Sequence, residues 1–179
     1  MCIQNVNSTV RVVLLICTLL FASCNTSEHL DVAEAKLGMN EYRDRTALKQ
    51  YVGVDPRYTE WCAAFVNAVL KDSGMTNLHD MEHSQPLTAR SFLDWGESVN
   101  IPQPGDIVIF PRGTSDWQGH VGFYVGWEKN EQGQVFWKIL GGNQNDSVSI
   151  DLYPSNKALG IRRYKYEHEL GKTTRSDAG

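Results

Sequence analysis

The sequence predicts an α+β domain: a helical first half, a strand-rich second half, and an apolar leader ahead of both. Three observations carry this. Trp61, Phe65, Ala68 and Val69 recur at i, i+4, i+7 and i+8, the helical period. Past the turn Pro102-Gln103-Pro104-Gly105, β-branched and aromatic residues dominate in short runs separated by polar or glycine-bearing loops. Helices followed by a run of strands argue for N-terminal helices packed on an antiparallel sheet of about five strands.

The leader comes first. Residues 1–10 carry no acidic side chain, Arg11 supplies a positive charge, and 12–21 form an apolar run. A membrane span needs about 20 apolar residues, so residues 1–23 read as a secretory signal. Ala22-Ser23-Cys24 places two small residues before a cysteine and resembles the lipobox of bacterial lipoproteins, whose cysteine is lipidated and becomes the mature N-terminus. Cys24 is therefore expected to anchor an exported envelope protein to a membrane, with residues 24–29 as a tether. The alternatives are plain cleavage by a general signal peptidase, which leaves a periplasmic or secreted protein, and an uncleaved anchor.

About 155 of the 179 residues then remain, enough for one domain over 30–166, followed by a solvated tail over 167–179. The net charge of −4 becomes −5 once Arg11 is lost, and no basic run tracks a phosphate backbone. Nucleic acid is excluded as a partner. The chain has no loop of spaced aspartates and no Cys/His cluster, so neither metal nor other cofactor is expected.

Within the domain, short helices are expected over 31–39 and 45–51, then the turn Gly53-Val54-Asp55-Pro56. A longer helix follows, capped by Thr59 and ended by Gly74, and another spans 88–95. Strands are expected over 106–110, 120–127, 135–140, 147–152 and 161–166.

With Cys2 and Cys17 in the signal and Cys24 lipidated, Cys62 is the only free thiol, and no internal disulfide forms. A lone thiol in an oxidising compartment is a liability unless its reactivity is used. A Thr59 cap puts Cys62 near the third helical position, where free backbone N–H groups and the helix dipole would lower its pKa and favour a nucleophilic thiolate. The plainer reading is an inert core cysteine. What favours chemistry is a partner base.

In the strand from Gly119 to Trp127, alternation puts Val121, Phe123, Val125 and Trp127 on one face and His120, Gly122, Tyr124 and Gly126 on the other. Two glycines beside His120 suggest close approach by the Cys62 helix, which would bring imidazole to thiol. His29 and His168 fall in expected flexible ends, and His79 and His83 in a polar loop. Asn143 shares a strand face with Ile139 and Gly141 and is the candidate to orient the imidazole, with Gln144 directed the other way. Trp61 and Trp117 are candidate groove residues for a glycan or peptide. The backbone N–H of Cys62 is a candidate oxyanion donor, with Tyr58 considered as a second.

Four pieces occur in order: Trp61-Cys62-Ala63-Ala64-Phe65-Val66, Pro104-Gly105-Asp106-Ile107-Val108-Ile109-Phe110, Gly119-His120-Val121-Gly122-Phe123 and Gly141-Gly142-Asn143-Gln144. Together they resemble the CHAP and NlpC-type cysteine peptidoglycan hydrolases. The resemblance implies a papain-like fold and cleavage of amide bonds in a peptidoglycan stem peptide or cross-bridge. It also implies Cys62 as nucleophile, His120 as general base and Asn143 as its orienting residue. The chain lacks the Asp-Cys-Ser start of NlpC-type enzymes and has Gly141 where many CHAP domains carry glutamate, so the bond cut stays open. The same thiol could serve an acyltransferase or transpeptidase, and the same fold a non-catalytic wall-binding lipoprotein.

Overall fold

The computed structural model describes residues 28–165. The expected signal, the Cys24 lipidation site, tether residues 24–27 and the tail over 167–179 lie outside the described residues.

Among the described residues three α-helices, α1 (Glu28–Glu34), α2 (Arg45–Val52) and α3 (Cys62–Asp72), precede the sheet. Helix α1 begins ahead of the expected start at residue 31, so Glu28 and His29 of the expected tether are helical. His29 is buried, its Nε2 donates to the Gly105 carbonyl at 2.7 Å, and its ring lies 5.5 Å from Phe123. It is a core histidine, not part of a flexible end. The stretch expected as a helix over 88–95 is instead a 3-10 segment, Ala89–Asp94. Its buried residues Ala89 and Phe92, with Trp95 just beyond, recur every third position. A three-residue turn puts them on one side.

Six strands follow: β1 (Glu97–Ser98), β2 (Ile107–Pro111), β3 (Gly119–Lys129), β4 (Val135–Gln144), β5 (Ser147–Pro154) and β6 (Gly160–Arg163). They form one antiparallel sheet in the order β1-β6-β2-β3-β4-β5. The two-residue β1 is the addition to the expected five, too short to show a period. The architecture is α+β and papain-like, as expected.

Alternation along β2 and β3 divides the core. Ile107, Ile109, Val121, Phe123 and Leu140 pack with Trp61, Phe65, Val66, Val69 and Leu70 of the α3 region. Val108, Phe110, Tyr124 and Ile139 form a second cluster, with Ile161, Trp137 and Tyr153. Each fully buried large side chain in these layers contributes roughly 1.5–3 kcal/mol. The helix thus covers the Val121 side of β3, not the His120 side. The glycine beside His120 has another neighbour: a Cβ on Gly122 would lie 2.6 Å from Ile139 and 2.7 Å from the Leu140 carbonyl, both on β4. It is at Gly142 that α3 presses on the sheet, where a Cβ would lie 2.5 Å from the Trp61 ring and 2.7 Å from the Phe65 Cβ.

Buried Asp106 ties the end of the chain to this core. Its carboxylate accepts from Arg163 Nε at 2.8 Å and Nη2 at 2.7 Å, and from the Gln103 backbone N–H at 2.7 Å. Among the described residues, no helix is long and apolar enough to cross a membrane.

Candidate active site

Helix α3 opens at Cys62 itself. Trp61 is the N-cap, with φ −113° and ψ 13°, and its carbonyl accepts the first helical bond from Phe65 N at 2.9 Å. Thr59 does not cap, because Trp61 sets the start: its indole is fully buried, donates to Glu41 Oε2 at 3.1 Å and meets Phe65 edge-on at 6.4 Å. Cys62 is therefore the first helical residue rather than the third. Its backbone N–H has no intrahelical acceptor and stays available. The position corrects the expectation for Trp61, which is core and does not line a groove.

The thiol is buried, 3% exposed, and burial pushes its pKa up. Backbone hydrogen bonds from Val121 and Ala63 and the charge of Arg112 oppose this, while Glu60 adds to it. Desolvation is the largest contribution, so the lowered pKa expected from the helix end is not found. The resting group is a thiol.

The Val121 bond seats the sulfur beside the residue that follows His120. Tyr153 lies near both, since its ring stacks on the imidazole at 5.1 Å and an ionised Cys62 would raise the pKa of its hydroxyl. Sulfur and imidazole thus both lie near the start of β3, although helix and histidine occupy opposite sides of the sheet. His120 is 2% exposed, and burial lowers its pKa to about 4, partly offset by its bond to Gln144.

That bond corrects the third residue. His120 Nε2 lies 2.9 Å from Gln144 Oε1, while Asn143 Nδ2 donates to Glu60 Oε2 at 2.6 Å. Strict alternation fails because Asn143 takes a left-handed φ of 58° and the β4–β5 register shifts between Gly141 and Gln144. The backbone rotation carries Gln144 to the imidazole and Asn143 to Glu60. The Gln144 amide is fixed from its other end, since Nε2 donates to the Ile139 carbonyl at 3.2 Å and the Ser149 carbonyl at 2.8 Å. Its oxygen must then face His120 and accept from Nε2–H. The lone pair is left on Nδ1, the atom free to take a proton.

A solvent-open cavity of about 370 Å³ reaches this thiol, lined by Glu60, Cys62, Thr88, Arg112, Trp117 and Gly119 among others. Trp117 is 69% exposed at its rim. Tyr58, by contrast, is 82% exposed, holds the Arg45 guanidinium 5.4 Å from its ring centre and does not line the cavity. Being neither buried nor directed at the thiol, it is no oxyanion donor.

A family model for the CHAP domain matches residues 53–144, just over half of the chain. The chain belongs to the CHAP family. CHAP domains are typically cysteine amidases or peptidases that act on peptidoglycan. The matched span ends at Gln144, the residue bonded to His120. A search of curated proteins returned no match.

Four residues at the CHAP site escape sequence reasoning: Gln144, Tyr153, Glu60 and Arg112. Gln144 has a local signal. Asn145 and Asp146 both take positive φ, 49° and 60°, and form the two-residue hairpin turn that pairs Gln144 with Ser147. Counting back from that turn extends β4 past Asn143. Tyr153, Glu60 and Arg112 come from three separate elements and carry no local signal.

Proposed function

We propose that the chain is a cysteine hydrolase cleaving amide bonds in a peptidoglycan stem peptide or cross-bridge, as an amidase or endopeptidase, through an acyl-enzyme on Cys62. One observation supports this above the rest. A thiol at a helix N-terminus, open to a cavity, is hydrogen-bonded to the strand that carries a histidine whose tautomer Gln144 fixes.

The reading assigns each group a step. His120 Nδ1 takes the Sγ proton as Sγ attacks the scissile carbonyl carbon. The oxyanion accepts from the Cys62 backbone N–H at the positive end of α3. The imidazolium then protonates the departing amine, leaving a thioester. His120 next deprotonates a water, whose oxygen attacks the thioester, and the sulfur leaves as a thiol. Gln144 is the positioning residue that keeps the lone pair on Nδ1 throughout. Burial favours the neutral thiol and imidazole in the resting enzyme, so charge develops only during attack. Trp117 offers an aromatic face at the rim for glycan or peptide.

The test is digestion of purified peptidoglycan by the mature protein and by its Cys62→Ala variant, with soluble products identified by mass spectrometry. Muropeptides released by the wild type alone are the expected result, and their masses name the bond. No release by a folded wild type overturns hydrolysis.

We further propose that the protein acts from the bacterial envelope, held by a lipid on Cys24. The Ala22-Ser23-Cys24 sequence behind an apolar run supports it. Metabolic labelling with a fatty-acid analogue should mark the wild type and not Cys24→Ser, and an unlabelled wild type overturns the anchor.

A further inference from the structure

The cavity over Cys62 holds one cation whose part in the chemistry above is nil, and that is the starting point. Arg112 lines the cavity beside Cys62, and its charge reaches Cys62, His120 and Tyr153 alike. It lowers the pKa of both thiol and imidazole. Favouring thiolate while disfavouring imidazolium, it gives opposed contributions to proton transfer from one to the other. Its effect is undivided on an anion in the cavity, either the developing oxyanion or a charged group of the bound substrate.

The guanidinium is placed to receive one. Its ion pair with Glu60 runs through Nη1 at 3.2 Å, with both side chains well exposed, 45% and 76%. A pair of this kind is screened and worth about 0–1 kcal/mol, so an incoming ligand can displace it. Glu60 has a second holder in the buried Asn143, whose Nδ2 donates to the same Oε2 at 2.6 Å, and need not move when Arg112 turns. A guanidinium presents five donors in a planar fork that matches a carboxylate.

The segment bearing Arg112 is itself built. Gln118 Oε1 accepts from the Thr114 and Ser115 backbone N–H groups at 3.2 and 3.3 Å, and Arg90 Nε donates to the Gln118 carbonyl at 2.7 Å. Gly113, at φ 65°, allows the close approach, since a Cβ there would strike the Gln118 side chain. The loop from Arg112 to Gln118 is thus braced before any substrate arrives, and it carries Trp117 as well.

We propose that Arg112 forms an anionic subsite, which selects acyl donors bearing a free carboxylate close to the scissile amide. This rests on the hydrolase reading for its kinetics and not for its binding. Stem peptides in which that carboxyl is a carboxamide lose the charged pair and become poor substrates. Glu60 occupies the site in the free enzyme.

The probes are two synthetic stem peptides identical except for one carboxyl on the acyl-donor residue, free in one and a carboxamide in the other. The wild type should favour the carboxylate in kcat/KM by roughly 10- to 100-fold, the range for one charge-assisted hydrogen-bonded pair. Arg112→Gln should bring that ratio close to one, and Arg112→Lys should restore part of it. An equal loss on both peptides, leaving the ratio intact, overturns the subsite and makes Arg112 an oxyanion or scaffold group. Calorimetry on Cys62→Ala, with and without Arg112→Gln, keeps the two readings apart. If the wild type hydrolyses neither peptide while Cys62→Ala still prefers the carboxylate, hydrolysis fails and the subsite stands. Equal binding of both peptides overturns the subsite whatever the kinetics.

Discussion

His120 shows how burial sets the working range of a base. Its pKa is held near 4 by desolvation, and that of His29 is also lowered by its burial, against the opposing effects of its bond to the Gly105 carbonyl and of the Asp106 charge. Both lie below the ordinary histidine value of about 6.5, so between those values the unfolded chain binds more protons than the folded one. Stability contributed by the two neutral rings is complete above pH about 6.5 and is lost below it, the His120 share being gone once pH falls to about 4. Urea denaturation from pH 7 down to pH 4 should report this loss, and a flat profile would contradict neutral, buried histidines. Activity should keep its acid limb near the folded pKa, at pH about 4 in kcat/KM. Gln144→Glu sets a carboxylate against Nε2–H, stabilises the imidazolium and should move that limb to higher pH. It also removes the amide donor from the Ile139 and Ser149 carbonyls, at a cost of about 1–3 kcal/mol. An unmoved limb in a folded variant would show that Gln144 does not control the imidazole.

Helix α3 and strand β4 are fitted to one another through the absence of a side chain. Gly142 lets the Trp61 ring and the Phe65 Cβ come closer than any Cβ would permit, and neither partner can retreat. Both are fully buried, and Trp61 is pinned by its bond to Glu41. Gly142→Ala should therefore displace the start of α3 and cost about 1–3 kcal/mol by overpacking. Chemical denaturation measures the cost, and alkylation of Cys62 by iodoacetamide measures the displacement, because a tilted helix exposes the thiol. Full stability with unchanged alkylation would mean that the helix does not depend on this contact. The same element pair explains the third residue of the site. Ring insertion by Trp61 fixes where α3 begins, and the left-handed Asn143 fixes which β4 amide faces His120.

Across the molecule, β6 is the last strand among the described residues yet lies inside the sheet between β1 and β2. Asp106 holds it there. The buried carboxylate binds Arg163 through two nitrogens, and the adjacent Gly105 carbonyl receives His29 from α1. First helix, central strand and last strand converge on this point. Asp106→Asn keeps the shape and removes the charge that answers Arg163, and should destabilise the protein by about 3 kcal/mol. Thermal unfolding should show one cooperative transition at lower temperature. A separate early transition would mean that β6 is peripheral.

Much of this was legible before any coordinates. Helical period around Trp61 and Phe65, two-residue period after Pro104, and the order of Cys62, His120 and the Gly-Gly-Asn-Gln segment identify an α+β domain of the CHAP type. These features survive translation into structure because local periodicity is set by the backbone geometry of helix and strand. Orientation across elements is not set that way. Asn143 and Gln144 are adjacent, and one left-handed residue exchanges their directions, which no alternation rule anticipates. Likewise, Trp61 leaves groove and core both open in sequence until Glu41, twenty residues away, is seen beneath it. The thiol pKa followed the same course: a helix terminus is visible in sequence and lowers it, but desolvation depends on what packs around Cys62 and outweighs the dipole. Fold and candidate nucleophile come from local pattern, whereas the imidazole's partner and the protonation of the pair come from contacts that only the folded chain creates.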